Sequence, residues 1–332
     1  MNDSASSWVN GARSITISQH NGLPVSSQGL EADLSELTWI IAGMAEVTVL
    51  AVGGTGESHV GDHGARVRGL LSAVTDELDS RFDSRWVAYP ASYGPVADGG
   101  LSFRHSTAMG VKALSTAIAE TDGPLMLIGY SQGCTVIRAA LPTFTSPTTS
   151  PTLNGANIIG VGLISDPQQP TGVIEGCEGH GVAGDGPEVQ PWIPVKWIGH
   201  PQDMICNASD DSYIRDIADL TRWMSFSQAR VWAQKVWELL RSNAFQNAQK
   251  TRFSPKQWRT DLRRIRTAFL EVLGYLPTRL NLNRFQLENP RGGRHISYAI
   301  EPLDESGLTG CELLASWMKV QANGVEQRVH AA

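Results

Sequence analysis

One serine lies between two glycines in the stretch Gly129-Tyr130-Ser131-Gln132-Gly133. The apolar run Leu125–Ile128 precedes this stretch, and a segment with helical spacing of apolar residues follows it. In such a G-x-S-x-G pattern the serine occupies a strained turn between a strand and a helix. The flanking residues are glycines because a Cβ at either position would collide with the neighbouring strand and helix. The pattern therefore predicts that Ser131 is a nucleophile. The N-terminus of the following helix favours negative charge, so it would stabilise the oxyanion that forms when such a serine attacks a carbonyl group.

A serine nucleophile needs a histidine to take its proton and an acid to orient that histidine. Four histidines follow Ser131 along the chain, namely His180, His200, His295 and His330. His295 lies in a late loop directly after Gly292-Gly293-Arg294, and the glycines permit a close approach of the backbone. We predict that His295 is the base, with His200 as its main rival.

Two aspartates at the ends of apolar runs are candidates for the acid. Asp203 lies in a turn directly after the run Val195–Ile198. Because α/β sheets expose catalytic groups at the carboxyl ends of their strands, Asp203 is the preferred acid. Asp166, in Ser165-Asp166-Pro167, is the alternative, although an aspartate before a proline more often forms an Asx turn.

The glycine-rich loop GGTGES, residues 53–58, follows the first apolar run of this kind. In this type of site the second oxyanion contact comes from such a loop. We predict that Thr55 and the backbone N–H of Gln132 form the oxyanion hole. Nucleotide binding is disfavoured, because the loop is not followed by Gly-Lys-Ser/Thr and does not fit G-x-G-x-x-G.

The sequence supports a metal site or a disulfide less strongly than it supports a catalytic serine. His59, Asp62 and His63 lie close together, but such a set in a glycine-rich loop is more often polar surface. No metal and no other cofactor is therefore predicted. The four cysteines, at positions 134, 177, 206 and 311, are too few and too scattered for a disulfide scaffold.

Short apolar runs alternate with helical periodicity along much of the chain. The runs that suit buried strands are Val47–Val52, Trp86–Tyr89, Leu125–Ile128, Ile158–Ile164 and Val195–Ile198. The helical segments are Ala65–Ser80, Arg104–Glu120 and Cys134–Leu141, and a Ser/Thr/Pro loop covers Thr143–Gly155. The alternation predicts an α/β fold with a parallel sheet, flanking helices and right-handed crossovers.

Charge is distributed unevenly in this globular composition of 41% apolar and 18% charged residues. Residues 221–294 contain 15 Lys and Arg against 4 Asp and Glu, whereas the rest of the chain contains 12 against 29. The basic segment holds four tryptophans, and its helical pattern is broken at Ser254-Pro255 and Gly274. A solvated helical cap is favoured over a dedicated binder of anionic surfaces. The predicted division is an extension of unknown role at 1–43, a core at 44–215 and 291–332, and a helical linker or cap at 216–290.

Several stretches resemble those of cutinase and the cutinase-like serine esterases of actinobacteria. They are GGTGES at 53–58, YPASYGP at 89–95, GYSQG at 129–133 and HPQDMIC at 200–206. The run SDPQQPTG at 165–172 and a long helical segment at about 215–290 are similar to mycobacteriophage lysin B. The resemblance covers roughly residues 44–300 and implies an α/β-hydrolase fold with a helical insertion between the catalytic acid and histidine.

The resemblance to lysin B implies an esterase that releases mycolic acids from arabinogalactan of the host cell envelope late in phage infection. Motif by motif, it implies a triad of Ser131, Asp203 and His295, with Thr55 and Gln132 at the oxyanion hole. It also implies synthesis in the host cytoplasm and release to the envelope at lysis, which agrees with the lack of a secretory signal pattern and of a roughly 20-residue apolar run. The implied partners are mycolylarabinogalactan or another lipid ester and a lipid-rich envelope surface, without nucleic acid or a transmembrane segment.

The sequence departs from these families at two places. Ser165-Asp166-Pro167 replaces the usual Gly-Asn-Pro, which keeps Asp166 open as the acid. Cutinases carry a disulfide around the acid loop, and the resemblance makes a pair between Cys177 and Cys206 a hypothesis. Two other functions stay open, namely a cutinase-like lipase or esterase of a bacterial cell and a non-catalytic lipid-binding or structural phage protein.

Overall fold

The computed structural model describes most of the chain from residue 47 onward. The described residues are 47–62, 64, 66–94, 96–97, 100–144, 152–153, 156–225, 229–242, 246, 255–282 and 285–330. Residues 45–332 form one compact unit. The predicted extension at 1–43 lies outside the described residues, and the predicted three-part division stays a prediction.

Strands and helices alternate as the sequence predicts between residues 47 and 144. The strands are β1 (Val47–Val52), β2 (Phe82–Trp86), β3 (Gly123–Tyr130), β4 (Thr152–Leu153), β5 (Ala156–Ile164), β6 (Val195–Ile198), β7 (Arg279–Leu282) and β8 (Phe285–Glu288). The α-helices are α1 (Ser72–Thr75), α2 (Phe103–Ala119), α3 (Gln132–Phe144), α4 (Tyr213–Thr221), α5 (Ala229–Ser242), α6 (Pro255–Tyr275) and α7 (Gly310–His330). Short 3₁₀ helices cover Gly69–Leu71 and Arg294–Ala299.

Five strands form a parallel sheet in the order β2, β1, β3, β5, β6. The two-residue strand β4 pairs antiparallel with the first residues of β5. This parallel sheet with flanking helices confirms the predicted α/β class. Because β3, β5 and β6 are adjacent and parallel, the residues that follow them meet at one edge of the sheet.

The core lies on both faces of the sheet. All six residues of β1 are buried. Val49 and Ala51 pack with α1 and α7, whereas Leu50 and Val52 pack with α2 and α3. Alternate side chains thus enter opposite cores, which explains why the strands are continuous apolar runs rather than alternating ones.

Two early elements differ from the prediction. The second strand was predicted at Trp86–Tyr89, but β2 occupies Phe82–Trp86, and its pairing with β1 ends at Trp86. Val87 and Tyr89 are buried outside the strand, and the Tyr89 hydroxyl donates to the Gly53 carbonyl (2.6 Å). The helix predicted at Ala65–Ser80 is also wrong in length, because helical structure covers only residues 69–75 among those described.

Between Asp203 and His295, the described residues form three helices and a hairpin. The helical pattern predicted for the basic segment corresponds to α5 and α6, and α6 begins at Pro255, where proline suits the first helical turn. The hairpin of β7 and β8 was not predicted, although its sequence alternates polar and apolar residues. Among the described residues, no helix combines the length and hydropathy that crossing a membrane requires.

Candidate active site

Ser131 occupies the turn between β3 and α3 in a left-handed backbone conformation, with a φ of 51°. The flanking glycines are required by close contacts. A Cβ at Gly133 would lie 1.9 Å from the Val52 carbonyl oxygen, and one at Gly129 would lie 2.8 Å from Cδ1 of Ile137. The motif therefore forms the strained turn that its sequence predicts, with the serine at the carboxyl end of a central strand.

The structure brings His295 to Ser131 from 164 residues further along the chain. The Nε2 atom of His295 lies 3.1 Å from the Ser131 Oγ. His295 is in the 3₁₀ helix Arg294–Ala299, and Gly293 before it has a φ of 75°. The imidazole packs between the rings of Tyr130 and Tyr275, with centroid distances of 5.1 and 5.3 Å. Both the turn and the two rings fix the direction of the imidazole.

Asp203 binds the other side of the imidazole. Its Oδ2 lies 3.0 Å from Nδ1 of His295, and the carboxylate is fully buried in the loop after β6. Burial alone would raise the pKa of Asp203, but the charge of His295 and hydrogen bonds from His295, Ser165 and Tyr298 hold that pKa below its usual value. The carboxylate therefore stays ionised beside the histidine, which can then carry positive charge during a reaction.

The alternative residues have other contacts. The Asp166 carboxylate pairs with the buried Arg138 (2.8 Å) and accepts the backbone N–H of Gln168 (2.9 Å), which is the Asx-turn interpretation. The Nδ1 of His200 accepts the N–H of Gln202 (3.0 Å), and burial lowers the pKa of His200. The three groups that the structure aligns are Ser131, His295 and Asp203.

The predicted oxyanion residues lie next to each other. The Thr55 hydroxyl donates to Oε1 of Gln132 (3.1 Å), and Nε2 of Gln132 donates to the Ser92 carbonyl (3.2 Å). Gln132 is the first residue of α3, so its backbone N–H has no carbonyl partner within the helix. The loop and the helix N-terminus therefore converge beside Ser131, which suits the stabilisation of an oxyanion.

Sequence reasoning missed Glu57, which holds the glycine-rich loop in place. Its carboxylate accepts the backbone N–H groups of Gly54 (2.7 Å) and Leu70 (2.8 Å). Burial raises the pKa of Glu57, while these two hydrogen bonds lower it. The Glu57 N–H in turn donates to the Gly54 carbonyl (3.1 Å), so the turn that presents Thr55 is closed from both sides. The sequence did contain a signal for this role, because a glutamate three residues after Gly54 is spaced so that its carboxylate can accept the Gly54 N–H.

The structure also places the His59 and Asp62 side chains and the cysteines that the sequence analysis considered. Asp62 forms an ion pair with Arg68 (3.2 Å) and lies 4.0 Å from Nδ1 of His59, whereas His63 lies outside the described residues. Cys177 and Cys206 are free thiols in the structure, as are the other two cysteines, so the hypothetical disulfide is not formed. Cys206 instead contacts the Tyr298 hydroxyl (3.7 Å) behind Asp203.

Comparison with known proteins finds a family model that matches the serine-bearing part of the chain. A family model described as the PE-PPE domain matches residues 81–179, a span that includes Ser131. Among curated proteins, none matches the chain.

Solved structures of several esterases are similar to the chain. The catalytic core domain of an acetyl xylan esterase from Trichoderma reesei is 20% identical, with a TM-score of 0.36, and the match covers 60% of this chain and 98% of that one. A cutinase-like protein from Cryptococcus sp. is 18% identical, with a TM-score of 0.32 and coverages of 58% and 90%. A Trichoderma reesei cutinase in complex with a phosphonate inhibitor is 20% identical, with a TM-score of 0.30 and coverages of 64% and 87%.

Proposed function

We propose that the protein is a serine ester hydrolase in which Ser131 is the nucleophile, His295 the base and Asp203 the acid. The observation that carries this proposal is the hydrogen-bonded line from the Ser131 Oγ through both nitrogens of His295 to the Asp203 carboxylate. This line begins on a strained strand-to-helix turn beside a helix N-terminus, which is the arrangement that nucleophilic catalysis by serine requires.

The proposed reaction has two halves. In the first, the Ser131 Oγ attacks the ester carbonyl carbon while its proton moves to Nε2 of His295. The carbonyl oxygen becomes an oxyanion beside the N–H of Gln132 and the Thr55 loop, and the alcohol leaves with the proton from His295. In the second half, His295 takes a proton from water, which attacks the acyl-enzyme, and then gives that proton to the Ser131 Oγ as the acid leaves. Asp203 stabilises the imidazolium in both halves without taking its proton.

For the substrate, we propose the ester bond between mycolic acids and arabinogalactan, cleaved during phage lysis. The support is the run SDPQQPTG at 165–172 together with the long helical segment before His295, both of which are similar to lysin B. In this proposal the protein is made in the host cytoplasm and acts on the envelope after release. A long lipid chain needs apolar surface near the triad, and the inserted helices offer such surface.

The inserted helices expose apolar side chains at helical spacing. We name Leu262, Ile265 and Phe269 the α6 stripe; their exposed fractions are 70, 56 and 61%. The stripe lies at i, i+3 and i+7 of a helix that ends at Tyr275, whose ring contacts His295. An apolar stripe on a basic segment suits an anionic, lipid-rich surface, and this helix leads from that surface to the triad.

The tryptophans of the insertion divide into two groups. Trp223 packs under Arg104 and Lys235, and Trp232 donates its N–H to the Leu220 carbonyl (3.1 Å). Trp237 is 65% exposed. The side chain of Trp258 lies outside the described residues. Trp237 is therefore the described tryptophan of this segment that suits contact with a lipid surface.

A second candidate is a cutinase-like lipase or esterase of a bacterial cell that acts on other lipid esters. The match of residues 81–179 to a family described as the PE-PPE domain, rather than to a phage lysin, favours it. The chemistry of the two candidates is the same, so the substrate distinguishes them.

The test compares wild-type protein and Ser131→Ala on p-nitrophenyl butyrate and on purified mycolylarabinogalactan. We expect the wild type to cleave both substrates and the variant to lose activity on both by several orders of magnitude. Cleavage of the small ester without release of mycolic acid would favour the second candidate. Undiminished activity of the variant would contradict the proposed nucleophile.

A further inference from the structure

Ser165 has an unfavourable backbone conformation in the middle of the candidate site. It follows β5 directly, is fully buried and has a φ of 52°. A residue with a Cβ is disfavoured in this left-handed region, which glycine adopts without a steric penalty. Its N–H donates to the Ile198 carbonyl (2.8 Å), which ties it to the end of β6. A glycine would suit the backbone better, so the serine hydroxyl needs an explanation.

The hydroxyl of Ser165 lies between Asp203 and His295. It donates to Oδ2 of Asp203 (2.5 Å), and its oxygen lies 3.0 Å from Nδ1 of His295. An ionised carboxylate can only accept hydrogen bonds, so the single hydroxyl proton points to Asp203. The lone pairs of the same oxygen are then available to a proton on Nδ1. Both partners favour the tautomer with hydrogen on Nδ1, which leaves Nε2 free to accept the proton of Ser131.

Tyr298 fixes Asp203 from another side. Its hydroxyl donates to Oδ2 of Asp203 (2.7 Å), and it follows His295 by three residues in the same 3₁₀ helix, where such residues share a face. The N–H of Ile205 donates to Oδ1 (3.0 Å). The carboxylate is therefore held by groups on three separate segments, and the Ser165 hydroxyl is the one among them that also contacts the base.

We propose that Ser165 is a positioning residue of the triad, whose hydroxyl bridges the acid and the base and fixes the tautomer and direction of the imidazole. This inference rests on the proposed function. Ser165 does not contact the reacting atoms, so it acts through His295 and Asp203. The unfavourable φ is then the cost of placing a hydroxyl where glycine would be the easier residue.

The test uses Ser165→Gly, with Ser165→Ala as the matched control. Ser165→Gly removes the hydroxyl and relieves the backbone, so we expect a melting temperature equal to or above that of the wild type. We expect its kcat for p-nitrophenyl butyrate to fall about 10- to 100-fold with KM little changed, because the imidazole loses part of its orientation. Ser165→Ala keeps the unfavourable backbone and should show the same fall in kcat without the gain in melting temperature.

A spectroscopic measurement separates positioning from packing. The proton on Nδ1 of His295 should give a downfield ¹H resonance in the wild type, and we expect that resonance to shift or broaden in Ser165→Gly. A variant that keeps wild-type kcat and the wild-type resonance would overturn the inference. If the wild type itself fails to hydrolyse the ester, the proposed function fails first; if it is active and Ser165→Gly equals it, only this inference fails.

Discussion

The sheet core and the segment between Asp203 and His295 differ in the balance of apolar and polar contacts that hold them, and the segment places Tyr275 against the histidine of the candidate site. The core consists of apolar strands such as β1, all of whose side chains are buried. The inserted segment is held by a small apolar cluster that includes Ile214 and Val272, and also by polar contacts. The buried Arg264 donates to the Asp211 carbonyl (2.6 Å) and lies over the Tyr213 ring (3.9 Å), and Glu271 accepts the Ser209 N–H (2.8 Å).

The polar contacts continue from α6 to the histidine loop. The side chain of Asn289 donates to the Leu273 carbonyl (2.6 Å), and the Gly293 N–H donates to the Leu276 carbonyl (2.7 Å). The position of His295 thus depends on how α6 docks as well as on Tyr130 of β3, whose hydroxyl donates to the His295 carbonyl (2.8 Å), whereas that of Ser131 depends on the sheet. Apolar packing tolerates small shifts, but directional hydrogen bonds define one docking geometry. The difference indicates that the core sets stability and the insertion sets the alignment of the base.

The largest effect on activity should come from substituting each of the two buried aspartates separately. Asp203→Asn should lower kcat for p-nitrophenyl butyrate by about 10⁴-fold, because an amide favours the wrong imidazole tautomer. Asp166→Ala should instead lower the free energy of unfolding by about 3–5 kcal/mol, because Arg138 would stay buried without its partner. Steady-state kinetics and chemical denaturation distinguish these results, and a catalytic loss confined to Asp166→Ala would reverse the assignment.

The second effect compares one side chain from each region. Leu114→Ala in α2 leaves a cavity in the core and should lower the free energy of unfolding by about 2–5 kcal/mol, with kcat of the folded protein nearly unchanged. Arg264→Met should lower kcat about tenfold through the docking of α6, while the unfolding of the sheet core changes less. Thermal denaturation and ester kinetics on both variants provide the measurement. Equal effects of the two on kcat would remove the distinction between the regions.

A smaller effect is expected on binding to lipid surfaces. Replacing the exposed Arg230, Arg241 and Arg266 by Gln should weaken sedimentation with mycolate-containing cell walls about tenfold, because each charge near an anionic surface contributes about 1 kcal/mol at most. The matched control replaces three exposed basic residues of the core, Arg66, Arg85 and Lys112. Turnover of soluble p-nitrophenyl butyrate should be unchanged in both triple variants. Equal loss of wall binding in both would contradict a role for the insertion.

The smallest effect concerns the pH dependence of stability. The folded state lowers the pKa of Asp203, so its ionisation contributes stability that is present above the unfolded value of 3.8 and is lost as pH falls through the lower folded pKa. Tyr298→Phe removes one donor to this carboxylate and should move its folded pKa upward. Acid denaturation of the variant should therefore begin at a higher pH than that of the wild type. Coincident acid transitions would contradict the role given to the tyrosine hydroxyl.

The sequence predicted the core well because burial leaves a local trace. The runs at β1 and β6 have the predicted bounds, and the turn at Ser131 follows from its glycines. The run at Trp86–Tyr89 shows the limit of that signal, because its first residue, Trp86, ends the paired strand while Val87 and Tyr89 are buried beyond it. Apolar periodicity therefore locates what is inside, and strand pairing decides what is a strand.

The contacts around the acid could not be predicted, because they join segments that are distant along the chain. Ser165 and His295 are 130 residues apart along the chain. Asp166, which follows β5, pairs with Arg138 of α3, which lies 28 residues earlier. Glycine is the residue type that usually indicates a positive φ, so the left-handed conformation of Ser165 could not be predicted from a serine. The role of Glu57 likewise depends on Leu70, thirteen residues further on. Such polar networks emerge only when the fold is known.

The most direct test of the account is covalent labelling by diethyl p-nitrophenyl phosphate. The Ser131 Oγ should attack the phosphorus, its proton passing to His295, and p-nitrophenol should leave while a diethylphosphoryl group stays on the serine. Peptide mass spectrometry should find one such group on Ser131 in the wild type and none on that peptide in Ser131→Ala, with loss of ester hydrolysis in step with labelling. Labelling of a different serine, or hydrolysis that persists after Ser131 is fully labelled, would contradict the proposed nucleophile.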